Sequence, residues 1–136
     1  MNTRPYDVIS ASLAACHWVR RYREERLRTP IELYEDTGYS ELYRDLSESQ
    51  LERVLRDDPS LVEDWKSFSE DKRLSPAWYF TTEEGISVVG HYPPDPNMSK
   101  KTFRDPFQAC AYFIKMEMEA FRARNQNQAS RSNKES

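Results

Sequence analysis

The sequence predicts an α+β fold in which four or five helices pack around a small antiparallel sheet. One observation is that apolar residues recur at helical spacing near both ends of the chain, behind recognisable helix-start signals. The other is a single passage with strand alternation, "WYFTTEEGISVVGHY", which predicts a hairpin. The sheet is either this hairpin alone or a three-stranded sheet that includes "KKTF". Helices must cover it, because a lone hairpin is only marginally stable in water.

Residues 1–124 are predicted to form one globular domain and residues 125–136 a disordered polar tail. A chain of 136 residues falls within the range of a single domain, and no linker or internal repeat divides it. The final stretch, "RNQNQASRSNKES", lacks any apolar side chain larger than alanine. It therefore has little to bury against a core.

The first predicted helix spans residues 5–27 and is expected to be central. It carries two apolar stripes at helical spacing, one formed by Tyr6, Ile9, Leu13 and Cys16 and the other by Ala11, Ala15, Trp18 and Tyr22. Stripes on two faces predict neighbours on two sides. After Val19 the pattern turns polar in "RRYREERLR", where the helix is expected to emerge into water.

Three short helices are predicted in the middle of the chain. The first follows the interruption at Gly38, while the stretch before it is expected to be irregular or a single helical turn. Ser47 and Gln50 match a capping box, in which each side chain bonds the other residue's backbone N–H. Asp58 and Pro59 start the third helix, since aspartate caps well and proline suits the first turn.

The hairpin is expected to turn at "TEEG" and to bury one face formed by Trp78, Phe80, Ile86 and Val88. Gly90 indicates a bulge or a close approach by another group. A proline-rich loop after Tyr92 ends the second strand, because proline cannot donate to the ladder.

The last predicted helix begins at Asp105 and Pro106, which again form a cap followed by a first-turn proline. Its apolar face is wide because two neighbouring stripes lie side by side, Phe107, Cys110, Ile114, Met118 and Phe121 next to Ala109, Phe113 and Met116. We expect this helix to lie across the hairpin and against the first helix.

Composition predicts a cytoplasmic protein. No apolar run approaches the ~20 residues that cross a bilayer, and the N-terminus is a poor match to a signal peptide. Cys16 and Cys110 lie in apolar helical patterns and are expected to be reduced and buried, a disulfide between two packed helices being the alternative.

The sequence predicts no metal site, no cofactor and no particular reaction. Only Cys16 and His17 are close among the thiols and imidazoles, and neighbouring helical residues point about 100° apart, which does not suit zinc. No glycine-rich phosphate loop is present. Carboxylate pairs are common but none is singled out, so enzymatic activity is not indicated.

The formal net charge of −3 is unevenly distributed along the chain. Residues 1–28 carry a balance of +3, residues 29–73 one of −7, and residues 74–136 one of +1. Clustered carboxylates attract basic partners at long range, and tyrosine is favoured at protein interfaces. Our first hypothesis is therefore a non-catalytic binding module, of the inhibitor or immunity-protein type, that captures a basic protein between residues 32 and 64. The residues expected to contact the partner are Glu32, Glu35, Asp36, Tyr39, Glu41 and Tyr43.

Two alternatives remain open. The first is a small-ligand or catalytic site where the hairpin meets the proline-rich loop, with His91, Tyr92, Lys100 and Lys101 as polar contacts. The second and weaker one is an RNA-associated protein that uses Arg20, Arg21, Arg23 and Arg26. Glutamates interrupt that arginine run and the overall charge is negative, so nucleic acid is not the favoured partner.

Overall fold

A computed structural model of the chain describes residues 7–25, 27–71, 77–92 and 100–134. Within these ranges the chain forms six helices and a three-stranded antiparallel sheet of order β1-β2-β3, which confirms the predicted α+β class. The elements are α1 Val8–Glu24, α2 Pro30–Asp36, α3 Tyr39–Leu42, α4 Glu48–Asp57, α5 Ser60–Asp71, β1 Ala77–Glu83, β2 Ile86–Tyr92, β3 Lys101–Phe103 and α6 Pro106–Lys134.

The helix-start signals act as the sequence indicates. Ser47 and Gln50 form the predicted capping box at the start of α4. The side chain of Asp105 accepts a hydrogen bond from the backbone N–H of Phe107 at 2.9 Å, at the start of α6. A further capping box, formed by Thr29 and Glu32, begins α2, where an irregular stretch or a single turn was expected.

The hairpin closes through a two-residue turn. Glu84 and Gly85 both have positive φ, at 51° and 79°, as a type I′ turn requires. The resulting register places Phe80 opposite Val89 and Thr81 opposite Val88. Because residues directly opposite each other share a face, Phe80 and Val88 point to opposite sides of the sheet.

The expectation that Trp78, Phe80, Ile86 and Val88 share one buried face was therefore wrong. Trp78 and Phe80 lie on the helix-facing side, where Phe80 is fully buried and its ring packs 5.7 Å from that of Phe113 in α6. Ile86 and Val88 lie on the other side. There, Gly90 allows the ring of Tyr79 to approach closely, since a Cβ on Gly90 would lie 2.5 Å from the phenolic oxygen.

Helix α1 is central, but two members of its first predicted stripe, Ile9 and Leu13, are not buried, and Tyr6 of that stripe lies outside the described residues. Ile9 is 74% exposed and Leu13 is 45% exposed, whereas Ala11, Ala15 and Cys16 have no exposed surface. As far as Cys16, the buried face of α1 consists of small residues, which let the neighbouring helices approach closely. The larger aliphatic side chains of Ile9 and Leu13 project away from that contact.

An aromatic cluster joins α1 to α5 and α6. The indole of Trp18 stacks on that of Trp65 at 5.9 Å and contacts the rings of Phe68 and Phe121 at 5.3 and 5.1 Å. Both tryptophans are essentially inaccessible to solvent. Such rings bury large apolar areas, so this cluster contributes much of the stability of the helical layer.

Helix α6 continues through Lys134, into the segment that the sequence predicts to be a disordered tail from residue 125. Neither proline nor glycine interrupts this segment, so a helix started by the packed residues before it can propagate. The division into a domain at 1–124 and a tail at 125–136 stays a prediction.

Cys16 and Cys110 are both free and buried. Burial raises the pKa of both thiols, so neither is poised as a thiolate nucleophile. The thiol of Cys16 lies 3.6 Å from the carbonyl oxygen of Leu51 and links α1 to α4.

Candidate functional site

The arginines at the end of α1 bind carboxylates, most of them in the acidic middle segment, which comprises residues 29–73. The guanidinium of Arg20 donates to Asp64 at 2.5 Å and to Asp58 at 3.1 Å, which joins α1 to the start of α5. Arg21 bonds Glu25, four residues further along the chain, at 2.7 Å. The uneven charge of the sequence is therefore partly neutralised inside the molecule.

This pairing reduces the support for the RNA alternative. Arg20 and Arg21 each contact carboxylates, and Arg23 donates to the hydroxyl of Ser67 at 3.1 Å. Arg26 lies outside the described residues. Guanidinium groups held by carboxylates are less available to phosphate, since releasing them would leave negative charges unpaired.

Asp36 belongs to the same internal network. Its carboxylate accepts hydrogen bonds from Arg28 at 2.5 Å and from Arg21 at 3.3 Å. The hydrogen bond from Arg28 is the main reason that the pKa of Asp36 lies below its usual value. Asp36, expected to contact a partner, instead ties α2 to the segment that follows α1.

Glu32 and Glu35 lie on the exposed side of α2, opposite the buried Leu33 and Tyr34. The Glu32 carboxylate accepts a hydrogen bond from the backbone N–H of Thr29 at 3.0 Å, so it has a structural role in the capping box. Glu35 has no such bond and projects into solvent. Of the two, Glu35 is the one whose charge is available to a partner.

Tyr39 does not lie on the surface, and its assignment as a partner contact was wrong. The ring is fully buried, and the phenol donates a short hydrogen bond to the Glu119 carboxylate of α6. Burial, and then the hydrogen bond to Glu119, raise the pKa of the Tyr39 phenol. Tyr34 is also buried, with its hydroxyl 2.8 Å from that of Ser40, so both phenol rings belong to the core.

Tyr43 is half-buried and contacts two arginines. The guanidinium carbon of Arg122 lies 3.8 Å from the ring centroid, and that of Arg44 lies 5.5 Å away. Arg122 also donates to Glu119 at 2.9 Å, so the ring of Tyr43 is tied to the polar face of α6. Only part of Tyr43 is accessible to a partner.

Lys115 of α6 completes this polar contact. Its ammonium donates to the backbone carbonyls of Tyr43 at 2.9 Å and Leu46 at 2.7 Å, and lies 4.8 Å from the centroid of the Tyr39 ring. Our sequence reasoning missed Lys115, Glu119 and Arg122. Their signal is the helical spacing of three ionisable residues on a helix that otherwise presents an apolar face.

Several carboxylates of the middle segment are exposed and form no ion pair within the part of the chain that the structure describes, and four of them lie close together in the sequence, between residues 35 and 48. They follow one another along α2, α3, the turn after α3 and the start of α4. We call them the acidic surface, which consists of Glu35, Glu41, Asp45 and Glu48. Two of them, Asp45 and Glu48, were not among the predicted contact residues.

The sheet register does not bring all residues of the alternative ligand site to one side of the sheet. The ring of His91 packs edge-on against Trp78 at 5.2 Å, and the ammonium of Lys101 lies 4.5 Å from the centroid of the Tyr112 ring. Both belong to the helix-facing side, whereas Tyr92 is 63% exposed at the end of β2. Lys100 is exposed. The loop between Tyr92 and Lys100 lies outside the described residues.

A shallow cavity of about 410 Å³ lies along α4, and it does not include the residues of that alternative site. Its lining is polar and comes from one helix, namely Ser49, Glu52, Arg53, Arg56 and Asp57. The salt bridge of Arg56 with Glu52, at 2.7 Å, occupies part of this surface. A depression on a single helix lacks the convergent groups of a ligand pocket.

No protein-family model, curated protein or solved structure matches the chain. Among the residues described, no three histidine, cysteine, aspartate or glutamate side chains converge where they could hold a metal ion. The same residues include no helix that is long and apolar enough to cross a membrane.

Proposed function

We propose that this protein is a non-catalytic binding module that captures a basic protein partner through its acidic surface, in the manner of an inhibitor or immunity protein. The cytoplasmic location predicted from the sequence belongs to the same proposal. The contact residues differ from those first expected, because Tyr39 is buried and Asp36 is held by arginines.

The observation that supports the proposal is the contrast between two sets of carboxylates. Asp58 and Asp64 pair with Arg20 of α1, and Asp36 pairs with Arg28, so these acids stabilise the fold. The acidic surface has no such partners, although it lies on neighbouring elements of the same segment. Unpaired like charges repel one another and so lower the stability of the isolated chain slightly. Docking of an oppositely charged partner would relieve this repulsion.

The half-buried ring of Tyr43 lies within the same stretch of chain, between Glu41 and Asp45. Partly exposed aromatic rings often form the apolar centre of an otherwise charged interface. A partner with lysine or arginine around one apolar group would match this arrangement. Electrostatic attraction would mainly speed association, and the ring of Tyr43 would slow dissociation.

The test compares three forms of the protein as bait in extract from its native cells. They are the wild type, the double variant Glu35→Lys/Glu41→Lys, and the control Glu70→Lys, which changes charge at an exposed position of α5 away from the acidic surface. We expect a basic protein that wild type and Glu70→Lys retain and the double variant loses.

The retained protein is then purified, and its association rate is measured over a range of salt. The double variant should associate about tenfold more slowly at low salt, with a shallower salt dependence. If the double variant and the Glu70→Lys control bind alike, or if salt has no effect on the wild-type rate, the acidic surface is not the contact.

A further inference from the structure

Lys115 of α6 binds the backbone of the segment between α3 and α4. After Leu42, the backbone N–H groups of Asp45 and Leu46 still bond to the Leu42 carbonyl, at 3.0 and 2.9 Å. The carbonyls of Tyr43 and Leu46 instead accept hydrogen bonds from the ammonium of Lys115 on α6. One side chain thus fixes both ends of this turn.

Carbonyls at the end of a helix lack intrahelical donors and carry partial negative charge, so a cation suits them. Hydrogen bonds from a charged donor are also about twice as strong as neutral ones. Burial lowers the pKa of Lys115, while Glu119 and Glu48 oppose that shift. Keeping a partly buried ammonium here is costly, and its two carbonyl bonds offset that cost.

We infer that Lys115 is a positioning residue for the acidic surface, which it serves by holding residues 43–48 against α6. Asp45 lies within this stretch, Glu48 ends it and Glu41 precedes it, so the contact fixes three of the four carboxylates of the acidic surface relative to one another. The inference rests on the proposed function for its effect on binding. Its effect on the turn itself can be measured without a partner.

The first measurement is amide hydrogen exchange in the full chain. Lys115→Met keeps a long side chain but removes every donor, and Lys115→Arg keeps the charge. We expect the Asp45 and Leu46 amides to exchange at least about tenfold faster in Lys115→Met, with Lys115→Arg close to wild type, while amides of α5 keep their protection. If Lys115→Met does not fold, Lys115→Leu, which likewise has no donor, replaces it. Unchanged exchange at both amides would overturn the inference.

The second measurement uses the basic protein retained in the capture experiment. Lys115→Met makes the chain more negative, so simple attraction to a cation predicts equal or faster association. A positioning role predicts the opposite change: Lys115→Met should bind with an affinity at least about fivefold weaker than wild type, and Lys115→Arg should restore it. Wild-type affinity in Lys115→Met would refute the positioning role.

The two proposals fail in different ways. If Glu35→Lys/Glu41→Lys loses binding while Lys115→Met binds fully, the acidic surface is still the proposed contact, but Lys115 has no positioning role. Faster exchange in Lys115→Met together with equal binding by Glu35→Lys/Glu41→Lys and Glu70→Lys would remove the docking function.

Discussion

Replacing Tyr39 with phenylalanine separates a core role from a partner-binding role. The change removes only the phenolic oxygen from a fully buried ring, so ring packing is kept and the hydrogen bond to Glu119 is lost. Hydrogen bonds to charged groups contribute about 1.5–3 kcal/mol. Glu119 keeps Arg122 as a second donor and is itself half-buried, so we expect the free energy of unfolding to fall by about 1.5 kcal/mol.

The effect of Tyr39→Phe should also depend on pH. The folded chain raises the pKa of Tyr39, so it retains a proton that the unfolded chain releases near pH 10. The stability that this group contributes is therefore fully present below about pH 10 and is lost as pH rises further, by at most about 1.4 kcal/mol per pH unit for one proton. Phenylalanine has no such proton, so the stability difference between wild type and variant should narrow above pH 10.

The assay is urea unfolding followed by circular dichroism, at pH 7 and at several values between 10 and 11.5. Tyr43→Phe is the matched control, because it removes the same atom from a half-buried ring and should change stability by less than about 0.5 kcal/mol. Neither variant should slow association with the partner as the Glu35→Lys/Glu41→Lys variant does. Equal stability of Tyr39→Phe and wild type at pH 7, or a difference that stays constant with pH, would refute the assigned role of the Tyr39–Glu119 bond.

Three further outcomes follow from other contacts. Arg20→Met should lower stability by about 1 kcal/mol at low salt and by less at high salt, because its carboxylate partners are partly exposed. The control is Arg104→Met, at an exposed position between β3 and α6; an equal loss there, measured by urea unfolding, would show that the ion pairs of Arg20 with Asp58 and Asp64 are unimportant. Gly90→Ala should cost about 1–3 kcal/mol, since the new methyl group would meet the ring of Tyr79, and thermal melts should show a smaller cost in a Tyr79→Ala background. Cys16 and Cys110 should resist a thiol reagent such as DTNB until the chain unfolds, because burial raises both pKa values; rapid labelling of the native protein would contradict their placement in the core.

Local features of the fold were predictable because they depend on residues a few positions apart. The caps at Ser47 and Asp105 each depend on a side chain within four residues of the backbone group that it bonds. The hairpin likewise depends on strand residues close to its turn. The capping box at Thr29 had the same signal, in "TPIE", and could have been recognised.

Features that depend on tertiary neighbours were not predictable in the same way. Arg20 pairs with Asp58 and Asp64, and Tyr39 bonds Glu119, all of them far along the chain. A tyrosine in an acidic stretch has the same local pattern whether its ring faces solvent or a helix that follows much later. The sequence therefore indicated the charge of the middle segment, while the fold determined which carboxylates stay exposed.

The face of the hairpin was misassigned for a geometric reason. Strand alternation gives each strand a period of two, but the turn decides which residues of the two strands lie opposite each other. A two-residue turn at Glu84 and Gly85 pairs Phe80 with Val89. The sequence indicated a turn within four residues but not which two of them form it. Without that register, the inner and outer faces of the second strand were exchanged.

The stacked indoles of Trp18 and Trp65 give the chain an internal optical probe. The chain has three tryptophans, and these two are shielded from water in the helical layer while Trp78 lies half-buried on the sheet. Their emission should be blue-shifted in the native protein and move to longer wavelength when α1 separates from α5. In a Trp78→Phe background, fluorescence would follow the helical layer alone, and comparison with the parent spectrum would reveal whether the sheet detaches first.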